Sequence, residues 1–456
     1  MMKQTYSVPE KTRQLVILLV PIFITQCSLF GMTFFDTIMS GHASSNDLVG
    51  VGIGASIWMP VFTGLNGILF ALVPIVAQLL GAKRREEVSF AVIQGVYLAV
   101  AMSIVVIACG YVVVPFILDR MKLEAGVYRV AEHFLIAISC GVMPLFLSTI
   151  FRSFIDTLGY TRVTMVITMA ALPINVVLNY VLIFGKLGFP RLGGVGAGCA
   201  SAITYWCITL ISLCVIQRIK PFKSYQVFSN LYPVSWMAWK EQLKIGIPIG
   251  IAIFCETSIF ALVTLLMSEF STITIAAYQI AINFASLLYM IPLSISMALT
   301  IAIGFEVGGK RFTDARQYSY IGITIALFMA LICAVILFIF NEQVARIYTE
   351  DQDVLGLAQE FLIYAIFFQL SDAIAAPIQG SLRGYKDVKI TFIMAVISYW
   401  IVGLPLGYLL AHYTQFGAAS YWIGLISGLA FGAVALSIRL QIVQGKNSSL
   451  KICDKF

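Results

Sequence analysis

The chain has 456 residues, of which 60% are hydrophobic and only 11% charged, with a net charge of +7. An ordinary soluble domain carries about 45–50% apolar and about 25% charged residues, so water is not the main solvent of this fold. Apolar runs of bilayer-crossing length recur along the chain, and none shows the two-residue alternation of a transmembrane barrel, which leaves a bundle of membrane helices.

The N-terminal segment MMKQTYSVPEKTR is short and polar. The apolar run behind it is too long for a signal-peptide core and lacks a small-residue exit, so it is expected to remain as the first helix. Twelve spans are predicted: 14–41, 48–80, 90–118, 127–150, 161–186, 194–217, 241–268, 274–307, 317–340, 355–382, 386–411 and 416–442. The fold class is an all-α polytopic membrane protein. It divides into an N-terminal six-helix bundle (1–217), a cytoplasmic linker (218–240) and a C-terminal six-helix bundle with a short cytoplasmic tail (241–456). The linker carries Pro221, Pro233 and two Trp, is too short to bury a core of its own, and reads as interfacial.

With the N-terminus in the cytoplasm, 23 of the 29 Lys and Arg fall in cytoplasmic segments. The positive-inside rule then places both termini inside the cell membrane, and the basic charge is a topology signal rather than a nucleic-acid footprint. The nine cysteines are odd in number and include no C-x-x-C pair, so neither a disulfide framework nor a zinc site is indicated. His42, His133 and His412 lie at span ends and read as structural.

The chain is written twice. Pro21 answers to Pro248, GAKR (81–84) to GGKR (308–311) and AEHFLI (131–136) to AQEFLI (358–363), all at an offset of 227. After a two-residue slip, GYTRVT (159–164) answers to GYKDVK (384–389). Six spans separate equivalent points, so the halves share one orientation and are expected to be related by a pseudo-two-fold axis along the membrane normal. Parallel halves flanking a central cleft are a transporter architecture, in which rocking exposes the cleft to each side in turn.

Most of the 22 Asp and Glu sit in loops or near span ends. Glu256, in KIGIPIGIAIFCETSIFALVTLLM, and Asp372, in FFQLSDAIAAPIQG, lie near the midpoints of spans seven and ten, while Asp36 lies in FGMTFFDTIMSGH of span one. A carboxylate at mid-bilayer costs several kcal/mol, so each should face a wet cavity or a partner. The repeat places Leu29, Leu145 and Val263 at the equivalent positions, so the shared scaffold does without acids there. No basic residue lies deep in a span, and the partner is expected from outside: a Na+ ion held by Glu256 and Asp372, or shared protons. The same pocket would attract an organic cation, and two positive ligands that exclude one another give antiport. A protonated acid hydrogen-bonded for packing is the bland alternative.

Asn175 and Asn179, in LPINVVLNYV, share a helix face and offer amide oxygens near Asp36, or else a plain interhelical bond. Ser56, Gln279 and Tyr289 read as cavity lining or as packing, and Glu350, Asp351 and Asp353 as an acidic outer loop. The run GGVGAG (193–198) imitates a nucleotide loop but opens a membrane span, so close helix packing explains it better. Without an ATP-binding motif the energy must come from an ion gradient, in which one charge is worth about 2.3 kcal/mol per 100 mV. An intramembrane enzyme using the paired carboxylates is an alternative of a different class, although no H-E-x-x-H occurs.

Twelve spans in two halves, FFDTIMSGH, the GAKR and GGKR turns, Glu256 and Asp372 together resemble the multidrug and toxic compound extrusion (MATE) family, in its NorM-like branch. The resemblance covers nearly the whole chain. It implies cation-coupling roles for Glu256, Asp372 and Asp36 and a polar site at Asn175 and Asn179. It implies drug contacts at Asp36, Ser56, Gln279, Tyr289, Glu350 and Asp351. Some relatives carry Tyr one turn before the span-ten Asp, where this chain has Phe368. The expected function is secondary active multidrug efflux, exporting amphipathic organic cations in exchange for Na+ and/or H+ by alternating access, with substrate bound between the halves. No cofactor, nucleic acid or obligate protein partner is expected. A flippase for lipid-linked precursors is the runner-up, and should line its cleft with Arg or Lys instead of acids.

Overall fold

The computed structural model describes residues 2–230 and 232–453. Residues 1 and 231 and the last three of the expected tail, 454–456, lie outside them. Among the described residues, twelve helices are long and apolar enough to cross a membrane. In chain order they are Val8–Ala43, Ser45–Gly81, Arg85–Arg120, Ala125–Thr157, Thr161–Phe184, Gly194–Arg218, Trp236–Leu266, Thr272–Gly308, Phe312–Arg346, Gln352–Gly384, Val388–Tyr413 and Ala419–Lys446. These are the first to twelfth spans below, and the chain is a multi-pass membrane protein.

Several helices run past the apolar stretches that predict them. The fourth ends at Thr157 and the ninth at Arg346, because polar residues continue a helix once an apolar core has nucleated it. A helix of 36 residues is about 54 Å long against a hydrocarbon core of about 30 Å, so both ends reach the headgroups or beyond. Entry points are capped locally. Ser44 accepts from the Asp47 amide (3.0 Å), Ser271 from Thr274 (3.2 Å) and Asp351 from Asp353 (3.0 Å). Two spans are irregular. The second is interrupted at Phe70–Ala71, and the eleventh contains a π-helical stretch, Ile397–Gly403.

Two compact units are present, one of residues 1–2 and 20–246, the other of residues 3–19 and 247–456. Their internal plans match. The fourth span packs on the second and sixth, and the tenth packs on the eighth and twelfth. The repeated basic turns also match: Lys83 and Lys310 take left-handed φ values of 61° and 57°. The following arginine amides bond back to Leu79 (2.9 Å) and Glu306 (2.8 Å), again 227 apart.

Residues 3–19 belong to the second unit through a charged cluster. Lys11, fully buried, pairs with Asp314 (2.8 Å), and Arg311 pairs with Asp314 (2.9 Å) and Glu306 (3.3 Å). Arg311 Nη2 donates to the Thr5 carbonyl, whose residue bonds Tyr318 through the two hydroxyls (3.0 Å). The connecting segment, by contrast, lies on the first unit. Gln94 donates to the Pro233 carbonyl (2.8 Å) and accepts from the Ser235 amide (2.9 Å), while Phe222 is buried against Phe154 and Tyr160.

Candidate cation-binding sites

In the first unit, Pro173 precedes Asn175 and Asn179, which stand one turn apart on the fifth span. Asn179 Nδ2 donates to Asp36 Oδ1 (2.6 Å) and to Asn175 Oδ1 (3.1 Å). Sequence reasoning missed the residue that completes the cluster: Ser201, on the sixth span, donates its hydroxyl to Asp36 Oδ2 (2.6 Å). Both oxygens of one half-buried carboxylate therefore accept short bonds from neutral donors. Asn179 Oδ1 is buried without a hydrogen bond. Such a group costs about 1–3 kcal/mol, which marks the cluster as able to take a further polar guest.

In the second unit, bonds beside the acids bring four spans together. Gln369, one turn before Asp372, donates to the Leu288 carbonyl next to Tyr289 (3.1 Å). Trp400 Nε1, on the eleventh span, donates to the Cys255 carbonyl next to Glu256 (3.2 Å). Glu256, Asp372, Tyr289 and Tyr399 consequently lie within electrostatic reach of one another. Asp372 is 3% exposed while Glu256 is half-buried. Asp372 Oδ2 and Gln369 Oε1 are buried and make no hydrogen bond, while the Tyr399 hydroxyl is buried against the Glu256 carboxylate. Oxygen-only donors of this kind suit a hard cation or a proton.

Arg383 corrects the expectation that no basic residue lies deep enough to meet these acids. It sits in the last turn of the tenth span, half-buried, bonded to Gln379 Oε1 (3.3 Å) and within electrostatic reach of Glu256 and Tyr289. The helix extends two residues beyond the predicted end, and a long arginine stem carries its head inward from there.

The remaining predicted residues are not gathered at these acids. Ser56 is exposed and donates to the Gly52 carbonyl of its own helix (2.8 Å). Gln279 is half-buried, ten residues before Tyr289 on the eighth span. Glu350 and Asp351 are exposed; Asp351 caps the tenth span and stands 21 residues, roughly 30 Å of helix, from Asp372. Phe368 has no hydroxyl to offer and packs edge-on against Phe260 and Trp422.

The other sequence features are structural. The three histidines each bond the carbonyl four residues back, and the eight cysteines from Cys27 to Cys333 are free. At Gly196 and Gly198 a methyl would strike backbone atoms of Leu182 and Phe134, so the glycine run serves close helix contact.

The MatE family model matches residues 21–181 and again residues 248–409, so the doubling read from single motifs extends through both units. The chain belongs to the MatE family. Close relatives of this MatE chain include a probable multidrug resistance protein NorM of Bacillus anthracis, 60% identical over 98% of both chains. Another, of the same name, is from Bacillus subtilis, 58% identical over 98% of this chain and 99% of that one. Among solved structures, a eukaryotic MATE transporter superposes with a TM-score of 0.86 at 20% identity, covering 96% of this chain and 98% of that one. That likeness shows the twelve-helix fold. This MatE protein is accordingly not an enzyme.

Proposed function

We propose that this MatE protein is a secondary active multidrug exporter that exchanges amphipathic organic cations for Na+, H+ or both. The observation that carries the reading is Asp372, buried with one carboxylate oxygen unsatisfied beside the half-exposed Glu256. Two neighbouring anions sharing one nearby arginine retain a net attraction for a mobile cation, and Arg383 keeps the empty state from being too costly. An entering ion and an organic cation compete for this charge, so occupation by one releases the other. The names of the Bacillus relatives support drugs as cargo.

Asp36, held by Asn179 and Ser201, is the corresponding carboxylate of the first unit, open to a proton or to a cationic substrate. Tyr289, Gln279 and Ser56 are drug contacts, and Glu350 and Asp351 attract cations at an exposed end. The distribution of Lys and Arg supports a cell-membrane protein with both termini in the cytoplasm.

Ethidium efflux from proteoliposomes under imposed Na+ or H+ gradients tests the reading. Glu256→Gln and Asp372→Asn are expected to abolish gradient-driven efflux. If both export at the wild-type rate with unchanged ion dependence, the coupling assignment fails.

A further inference from the structure

The eleventh span holds a residue that neither sequence motif nor family resemblance singled out. Tyr399 is 1% exposed, and its hydroxyl is set against the Glu256 carboxylate, within electrostatic reach of Asp372 as well. Buried tyrosines normally find a polar partner, and here the partner is one of the two acids themselves. It lies in the π-helical stretch Ile397–Gly403, a geometry that occurs mostly at functional sites. The wider turn changes the angular register, so that Tyr399 and Trp400 both face the seventh span. Trp400 is anchored to the carbonyl beside Glu256, which fixes the height of its neighbour.

The seat of this turn is built to hold it close. Gly428 on the twelfth span lies directly against the Ser398 carbonyl, and a Cβ there would also stand 2.9 Å from Gly403 Cα. Backbone touches backbone at this crossing, so the π-turn stands as near to its neighbour as chain geometry allows. The Tyr399 hydroxyl then lies within reach of both acids, Glu256 and Asp372, and Asp372 Oδ2 makes no hydrogen bond.

Resting on the cation-exchange reading above, we propose that Tyr399 is a Na+ ligand of the second unit, the π-turn supplying the neutral hydroxyl that Phe368 cannot. The chemistry distinguishes the two coupling ions. A proton needs one carboxylate oxygen. Sodium, a hard cation, needs several oxygens at once, and a neutral hydroxyl fills its shell without adding to the repulsion between two acids. Tyr399 is thus a specificity residue: its oxygen contributes to holding Na+ and little to holding H+.

Trp400 and Trp422 flank the cluster and report on it, Trp422 through its packing on Tyr278 and Phe368. The test is intrinsic tryptophan fluorescence of the purified full-length protein, titrated with NaCl at constant ionic strength in choline chloride. Wild type should show a saturable Na+ response, and Tyr399→Phe should move its midpoint up by about tenfold. The substitution gives up one bond to the Glu256 carboxylate, so its melting point should fall by a few degrees at most and the titration is read on folded protein. Ser398→Ala removes the adjacent hydroxyl and should leave the midpoint in place. A Tyr399→Phe midpoint equal to wild type, with Glu256→Gln and Asp372→Asn abolishing the response, overturns the role of Tyr399 and leaves cation exchange standing. A wild type blind to Na+ overturns it as well, leaving proton exchange. Acid variants that keep the wild-type midpoint overturn the reading on which it rests.

Discussion

Gly380→Ala tests whether the contact between the eighth and tenth spans positions the second-unit acids. The added Cβ would stand 2.6 Å from both Cα and Oγ of Ser296, and closer still to its carbonyl oxygen. Carbon contacts settle at about 3.5–4.0 Å, so the two helices must part by about 1 Å. Overpacking of this kind costs about 1–3 kcal/mol. The bond from Thr300 Oγ1 to the Gly380 carbonyl (2.9 Å) would stretch or break, adding about 1 kcal/mol. The expected loss is therefore about 2–4 kcal/mol, a fall of several degrees in the apparent unfolding temperature in detergent. Asp372 lies eight residues away on the same helix, about 12 Å, so efflux should fall together with stability. The measurement pairs thermal unfolding with ethidium efflux, using Gly356→Ala as control because nothing lies within 4 Å of a Cβ there. A Gly380→Ala protein that melts with wild type would refute the packing argument.

Three further outcomes are expected. Ser201→Ala removes a 2.6 Å bond to Asp36, worth about 1.5–3 kcal/mol to the ionised carboxylate, and should slow efflux about tenfold or more; a wild-type rate, with Asp36→Asn inactive, would show that Asn179 alone suffices. Lys11→Met leaves Asp314 paired with Arg311 and should destabilise by about 1–3 kcal/mol, less than for a broken, fully buried pair because Asp314 is partly exposed and keeps its second cation, and Lys11→Met with Asp314→Asn should recover part of the loss. Strictly additive melting shifts would count against that coupling. Gln94→Ala removes both bonds holding the 233–235 backbone, so limited proteolysis should cut the connecting segment faster than in wild type.

Apolar runs made the spans legible, and three motifs at one offset made the duplication legible before any fold was known. Span ends were less so. Nothing in the residues from Arg152 to Thr157 marks them as helical, because their burial depends on neighbours far away in the chain. Glu256, Asp372 and Asp36 stood out because their solvent is wrong for them. Ser201 did not: one hydroxyl in a Gly/Ala-rich span has an ordinary packing explanation, and only the position of Asp36 gives it another. Tyr399 was invisible for a different reason. A π-turn has no sequence signature, and without it the residue is one more aromatic among 58. Arg383 was placed in a loop because reach along a side chain is not written in its position.

The pairing of Lys11 with Asp314 also has a history within each round of biosynthesis. Lys11 leaves the ribosome first, and its partner is made 303 residues later, after eight spans have been inserted. At about 5–20 residues per second the nascent lysine waits about 15–60 s, hydrated and uncommitted, before the ninth span delivers its counter-charge. Severing the gene at the connecting segment would therefore strand complementary charges on different polypeptides. Co-expressed fragments would have to bring this ammonium and carboxylate together between two polypeptides, an assembly step that the intact chain performs on itself.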